Sequence, residues 1–192
     1  MKKSILLIML AFLCILISSS CSSRDDANSL ATGNSEANMI KEIVKIDASY
    51  PWYNDIDSLV RAADLIAEGI VTNSRVESIY LSNNKEESPI IYTVYNIKIT
   101  RVYKGSTQHK ESFEVKQLGG EDATTAYIAN DVTPLKSQSS YLFFLEVYDD
   151  APASLLNPIQ GLYQITDGAF IAHEENPIKV TAETLKSLAS QW

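Results

Sequence analysis

Two histidines, His109 and His173, are the only imidazoles in a chain of 192 residues. His173 is followed by Glu174 and Glu175, a run that offers nitrogen and oxygen ligands to a divalent metal. Neighbouring residues on a strand point to opposite faces, however, and no third imidazole converges from elsewhere. No recognised ligand spacing is present, so no metal is expected. His109 sits among Ser106, Thr107, Gln108 and Lys110 and reads as a surface turn residue. The carboxylate pairs Glu121-Asp122 and Asp149-Asp150 lie in polar stretches, where solubility and turn chemistry explain them better than general acid–base work. No serine lies in a nucleophile elbow or beside a histidine. Gly119-Gly120 is too short for a phosphate loop and precedes two acids that would repel phosphate. No catalytic residue and no cofactor follows from these residues.

The two cysteines are Cys14 and Cys21. Cys14 lies inside the apolar run Ile5–Ile17, which follows Lys2 and Lys3. A positive start and a short apolar core fit an export signal better than a membrane anchor. Ser18, Ser19, Ser20 and Cys21 follow. Small residues directly before a cysteine resemble the lipobox of bacterial lipoproteins, although Ser18 stands where that motif usually has an aliphatic residue. The resemblance implies cleavage after Ser20 and diacylation of Cys21 through its sulfur; the plainer alternative is an ordinary secretory signal with Cys21 a free thiol. The expected organisation is a signal over 1–20, a tether over 21–38 and one domain over 39–192. No thiol then remains for a disulfide, so the domain stands on its core alone.

Ser22–Asn38 is polar and aperiodic, as a flexible tether should be. Ser22 lacks the aspartate of the inner-membrane retention pattern, which implies the outer membrane if the envelope has two. Without Lys2 and Lys3 the 16 basic residues fall to 14 against 24 acidic ones, a net charge of −10. Such a surface repels nucleic acid and anionic headgroups, so no nucleic-acid partner is expected and any membrane attachment would come from the lipid.

The elements that would position a site are mostly strands. Ile90–Gly105 is the dominant one, long and rich in β-branched and aromatic residues. Ile90, Tyr92 and Val94 are apolar at period two; that face turns polar at Asn96, Lys98 and Thr100, while Ile97 and Ile99 carry the opposite face. A strand that swaps faces implies a bulge, placed by this pattern at Tyr95–Asn96, and a strand shared by two sheets of a small barrel. Val94 and Ile97 should then be buried together, with Asn96 and Lys98 exposed. Its start should pair with Leu65–Leu81 and its end with Glu111–Leu118.

Met39–Ile46 is ambiguous between a strand and a helical turn. Asp57 or Ser58 can cap a short helix, Leu59–Ala63. Asp64–Val71 is a strand that Val76–Leu81 extends. Asn83–Pro89 reads as a hairpin loop. Glu121–Gln138 and Asp149–Gln160 read as irregular. Tyr141–Val147, a continuous apolar run, should be buried on both faces. Leu162–Ile165 and Ala169–Ala172 flank Thr166-Asp167-Gly168, a tight-hairpin signal. Thr181 can cap a last helix, Ala182–Gln191. Tyr50-Pro51-Trp52-Tyr53 is an aromatic loop, either a lid on the core or an exposed binding patch.

Five mainly antiparallel strands with peripheral helices suggest a mainly β, five-stranded OB-like Greek-key barrel, with a β-sandwich as alternative. Ala63-Asp64, Glu68-Gly69-Ile70-Val71, Val102-Tyr103-Lys104-Gly105 and Tyr141-Leu142-Phe143-Phe144, in that order, resemble the OB-type barrel of the tissue inhibitors of metalloproteinases and netrin-like modules, and small bacterial lipoproteins with the same pattern. The resemblance spans about residues 58–166 and implies the barrel. Those inhibitors are disulfide-rich and chelate zinc through an N-terminal cysteine, which this chain cannot reproduce, so no inhibitory residue carries over.

Three function classes follow. The first is a lipid-anchored envelope protein with a non-catalytic interaction module, for which an inhibitor-like module is one version. The second is a binder of a small ligand or glycan at the barrel face or under Tyr50, Trp52 and Tyr53. The third, an enzyme, lacks a constellation.

Overall fold

A computed structural model describes residues 41–79, 89–107 and 110–189. They belong to one compact unit, Asn38–Trp192, and residues 1–40 lie outside the described residues. Ten strands and two helices follow in order: β1 (Glu42–Ile46), α1 (Ile56–Ala62), β2 (Leu65–Ile79), β3 (Ile90–Lys104), β4 (Ser112–Leu118), β5 (Gly120–Glu121), β6 (Thr125–Ala129), β7 (Ser140–Glu146), β8 (Ala153–Leu155), β9 (Leu162–Thr166), β10 (Ala169–Ala172) and α2 (Ala182–Ala189).

The strands form a seven-stranded sheet, β10-β9-β7-β2-β3-β4-β8, and a separate three-stranded sheet, β1-β6-β5. This corrects the five-stranded OB-like barrel. The large sheet continues past β7 into the β9–β10 hairpin, and a second sheet joins β1, from the ambiguous Met39–Ile46, to β5 and β6, which come mostly from the segment that read as irregular. The β4 edge and β7 are bridged only by the three residues of β8. It makes two registered pairs with each, so the sheet curls without closing along its length. The inhibitor-like resemblance rested on the barrel pattern and falls with it.

β7 shows why the chain curls. Tyr141, Phe143 and Leu145 enter one buried cluster with Leu65, Val71, Ile97 and Val115, inside the curl. Leu142 and Phe144 enter a second, outside it, with Leu59, Val60, Ile66, Tyr163, Ile178 and Leu185. A strand buried on both faces needs an unbroken apolar run, which Tyr141–Leu145 supplies. The strand ends at Glu146, one residue short of expectation, and Val147 is 47% exposed.

β3 has one sheet, not two. β2 pairs with it along its length and β4 with its first half, Tyr92–Lys98, whereas β4 was expected at its end. The β3–β4 register is unbroken from Tyr92 to Lys98, so Val94 and Ile97 lie on opposite faces although both are buried. Val94 is flanked by its registered neighbours Arg75 and Lys116. Lys98 is exposed, while Asn96 is half-buried and accepts the Thr72 hydroxyl at 3.1 Å. The irregularities sit elsewhere. The β2–β3 register skips Thr72 on β2 and Thr100 and Tyr103 on β3. Beyond Thr100 the alternation is reset, and Tyr103 packs on the second cluster. Gly69 pairs with Ile99 beside that bulge. A Cβ there would stand 2.3 Å from the Ile97 side chain and 2.8 Å from the Lys98 carbonyl, so only glycine permits the approach.

Both helices are short. α1 is capped by Asp55, not by Asp57 or Ser58; the Asp55 carboxylate accepts from the Ser58 backbone N–H at 2.7 Å. Lys104 donates to the α1 carbonyls of Val60 at 2.8 Å and Arg61 at 3.2 Å, satisfying orphan acceptors of the last turn. At the other end Thr181 accepts from the Thr184 backbone N–H, as expected of a cap. The β9–β10 hairpin turns at Asp167 and Gly168, with φ of 51° and 80°, the left-handed pair a two-residue turn requires.

Candidate functional site

The three-stranded sheet makes the site. β1 and β6 pair in parallel, Val44 beside Tyr127 and Ile46 beside Ala129. Alternation turns Val44, Ile46 and Tyr127 to one face, where they wall a cavity of about 760 Å³ against the large sheet. Ile90, Ile91, Tyr92, Lys116, Gln117 and Leu118 supply the other wall, with Leu155 and Pro158 below and Tyr50 at the side. The volume falls in the range of small-molecule sites, and the walls are mostly aliphatic with a few polar groups. A second cavity of about 420 Å³ shares Gln117, Leu118, Tyr127 and Val132 with it.

Two buried amides hold the Tyr50–Tyr53 loop over this region. The Asn157 amide donates to the Pro51 carbonyl at 2.9 Å, and its oxygen accepts from the backbone N–H groups of Ile159 and Gln160. Gln160 clamps the Tyr53 backbone from both sides: its oxygen accepts from the N–H and its nitrogen donates to the carbonyl, each at 2.8 Å. A third buried amide, Asn176, is likewise used at both ends, by Ile159 and Ile178.

Gln117 is different. It is 4% exposed, and its amide nitrogen donates to the Thr133 carbonyl at 3.2 Å, which fixes the amide's orientation. Its oxygen has no hydrogen-bond partner, alone among the buried side-chain polar atoms of the described residues. A buried carbonyl left unpaired costs about 1–3 kcal/mol, so it calls for an explanation.

The polar groups at the rim are of two kinds. The Lys116 ammonium stands 4.6 Å from the centre of the Tyr148 ring and 5.7 Å from that of Tyr92. Such placement holds a cation without neutralising it. Asp47 accepts the Asn130 amide N–H. The Tyr50 hydroxyl is pushed above its ordinary pKa, first by burial and then by Tyr92 and Asp131, so it stays protonated.

The three aromatic side chains of the Tyr50–Tyr53 loop go separate ways. Tyr50 lines the cavity, Trp52 is 53% exposed and Tyr53 packs on the second cluster. Glu121 pairs with Lys41 at 2.5 Å. Asp122 accepts from the backbone N–H groups of Thr124 and Thr125, which lowers its pKa. Asp149 and Asp150 border a third cavity, of about 470 Å³. The His173 ring nitrogen accepts the Glu175 backbone N–H at 3.2 Å, a local turn contact. Among the described residues no three His, Cys, Asp or Glu side chains converge as metal ligands, and no helix is long and apolar enough to cross a membrane. Cys21 and His109 lie outside the described residues, as do the expected signal and tether and most of the 83–89 loop.

No family model matches the chain, and no curated protein shows significant sequence similarity to it.

Proposed function

We propose that the domain is a non-catalytic binding module that takes a small, largely apolar ligand between its two sheets. The observation that carries this reading is the mostly aliphatic cavity of about 760 Å³ between the two sheets. Aliphatic walls favour an apolar body over a glycan, which would need more polar partners and an open aromatic platform.

The neutral fluorophore N-phenyl-1-naphthylamine brightens on entering such a site. It should brighten with the wild-type protein. Leu118→Trp, which fills the cavity from a half-buried wall position, should abolish the gain while leaving the circular dichroism spectrum unchanged. Equal brightening in both proteins would place the dye elsewhere and sink the reading.

The address is a proposal of its own, supported by the sequence alone: an extracytoplasmic protein held to the membrane by a lipid on Cys21. Metabolic labelling with a fatty-acid probe should mark the wild type and not Cys21→Ser. An equally labelled Cys21→Ser protein removes the anchor.

A further inference from the structure

We propose that β1 is a self-association edge: two copies of this domain pair their β1 strands antiparallel about a two-fold axis at Val44. The pairing does not depend on what the cavity binds.

β1 ends the three-stranded sheet, so one of its sides is open. The hydrogen bonds to β6 show which residues face that side. The Glu42 N–H donates to the Thr124 carbonyl, and the Ile46 carbonyl accepts from the Asn130 N–H. Residues 42, 44 and 46 therefore direct their backbone groups to β6. Alternation turns those of Ile43 and Lys45 outward, where no described residue bonds to them. The Ile43 side chain is 63% exposed as well.

The occupant follows from charge and register. Two copies of one strand related by a two-fold axis pair symmetrically around a central residue. Centred on Val44, the whole of β1 overlaps its copy. Ile43 then faces the partner's Lys45, and Lys45 the partner's Ile43, and each pair exchanges both of its backbone bonds. Just beyond, Lys41 faces the partner's Asp47 at either end. Lys41 holds Glu121 on its own sheet, so the partner's Asp47 brings a second carboxylate to that ammonium. Asp47 accepts the Asn130 amide, a neutral donor, which leaves its charge uncompensated.

Moving the centre by one residue shortens the overlap and sets lysine on lysine. At Ile43 the axis puts Lys41 opposite the partner's Lys45, and at Lys45 it puts the two Lys45 side chains together. Exposed ion pairs add little affinity, but like charges face to face exclude the alternatives. An edge lysine ordinarily blocks pairing. Here Lys45 meets an isoleucine, along which its stem can lie, and blocks the shifted registers only. The apolar edge at β10, Ala169–Ala172, carries no charge that would select a partner or a register. The product is a six-stranded sheet in which β5-β6-β1 continues into the partner's β1-β6-β5. Val44 lines the cavity, so the cavity wall becomes continuous across the axis.

The test uses the unit Asn38–Trp192, which contains both buried clusters complete and no cysteine. In sedimentation equilibrium its mass should rise with concentration from one chain toward two and no further, because the pairing occupies the edge. Ile43→Pro removes an N–H that β6 does not use. It should raise the dimer dissociation constant about tenfold or more. Val44→Cys places two thiols at the axis, in a pair without backbone bonds whose Cα atoms approach to about 4.5 Å. Mild oxidation should link it into a covalent dimer, whereas Ile46→Cys, which faces the partner's Glu42, should link far less. Lys41→Asp and Asp47→Lys should each weaken the dimer alone, and mixing the two chains should restore it, because each then meets its opposite charge. A wild-type unit that stays a single chain overturns the proposal, whether the edge takes a strand of another protein or none. A dimer that ignores Ile43→Pro and does not link through Val44→Cys overturns it too, since a different surface then holds the copies. Should Ile43→Pro fail to fold, the cysteine pair and the mixed chains decide.

Discussion

Phe143→Ala should destabilise the domain by about 3–5 kcal/mol, measured as a drop in the urea midpoint at unchanged slope. Phe143 is fully buried at the centre of the curl. Phe113 meets it edge-on at 5.8 Å, and Tyr141 packs at 6.0 Å. Its registered neighbour on β2 is Ala67, too small to fill the space left behind. Leu145→Ala, in the same cluster, should cost about 2–5 kcal/mol. Val147→Ala, two residues on and outside the strand, should be nearly neutral. A loss at Phe143 no larger than that at Val147 would mean that β7 is not the strand on which both clusters are built.

That strand was legible because burial on both faces leaves its mark in an uninterrupted apolar run, Tyr141–Leu145. The Asp167-Gly168 turn was legible for a similarly local reason: two successive left-handed residues demand those types. The barrel was not legible, and the reason lies in β3. Its polar switch at Asn96, Lys98 and Thr100 reads as a change of face, yet most of these residues simply approach solvent on one side of a regular strand. The bulges that do reset the alternation fall at Thr100 and Tyr103, and opposite at Thr72. Each depends on the register with a partner strand, which composition does not encode. The β1–β6 pair was hidden more deeply. Its parallel register joins Glu42 to Thr125 across a long separation, and neither segment has a strong strand pattern of its own.

The site divides in the same way. Tyr50 stood out as part of an aromatic loop, but its cavity exists only because β1 and β6 close over it. Gln117 carried a signal: it continues the inward alternation of Phe113 and Val115 as an amide. A polar residue at an inward position must find partners inside the fold, and only the structure shows that its nitrogen is bound and its oxygen is not. Asn157 and Gln160 gave no warning, because their partners at Pro51 and Tyr53 lie more than a hundred residues away.

Alkaline pH should weaken the domain through Tyr163, and Tyr163→Phe should remove that part of the loss. Tyr163 is 1% exposed beside Phe144, and its hydroxyl donates to the Ile178 carbonyl at 3.1 Å. Burial pushes its pKa up from 10.0 to about 12, against a smaller lowering from Asn176. Below pH 10 both folded and unfolded chains keep the proton, and the contribution is complete. Between pH 10 and about 12 the unfolded chain releases it and the folded chain does not, so stability falls as pH rises. At about 1.4 kcal/mol per unit, roughly 2–3 kcal/mol is lost across the window. Tyr50, Tyr53, Tyr95, Tyr103 and Tyr148 shift in the same direction, so the wild-type curve alone does not isolate Tyr163. The difference between the two proteins does. At neutral pH the phenylalanine variant should be less stable by about 1 kcal/mol, because the Ile178 carbonyl loses its donor. Urea midpoints followed from pH 9 to 12 should then converge and cross as the wild type loses its advantage. Parallel curves would mean that the Tyr163 hydroxyl reaches solvent, and that the cover formed by Ile178 and Val180 over the second cluster is not closed.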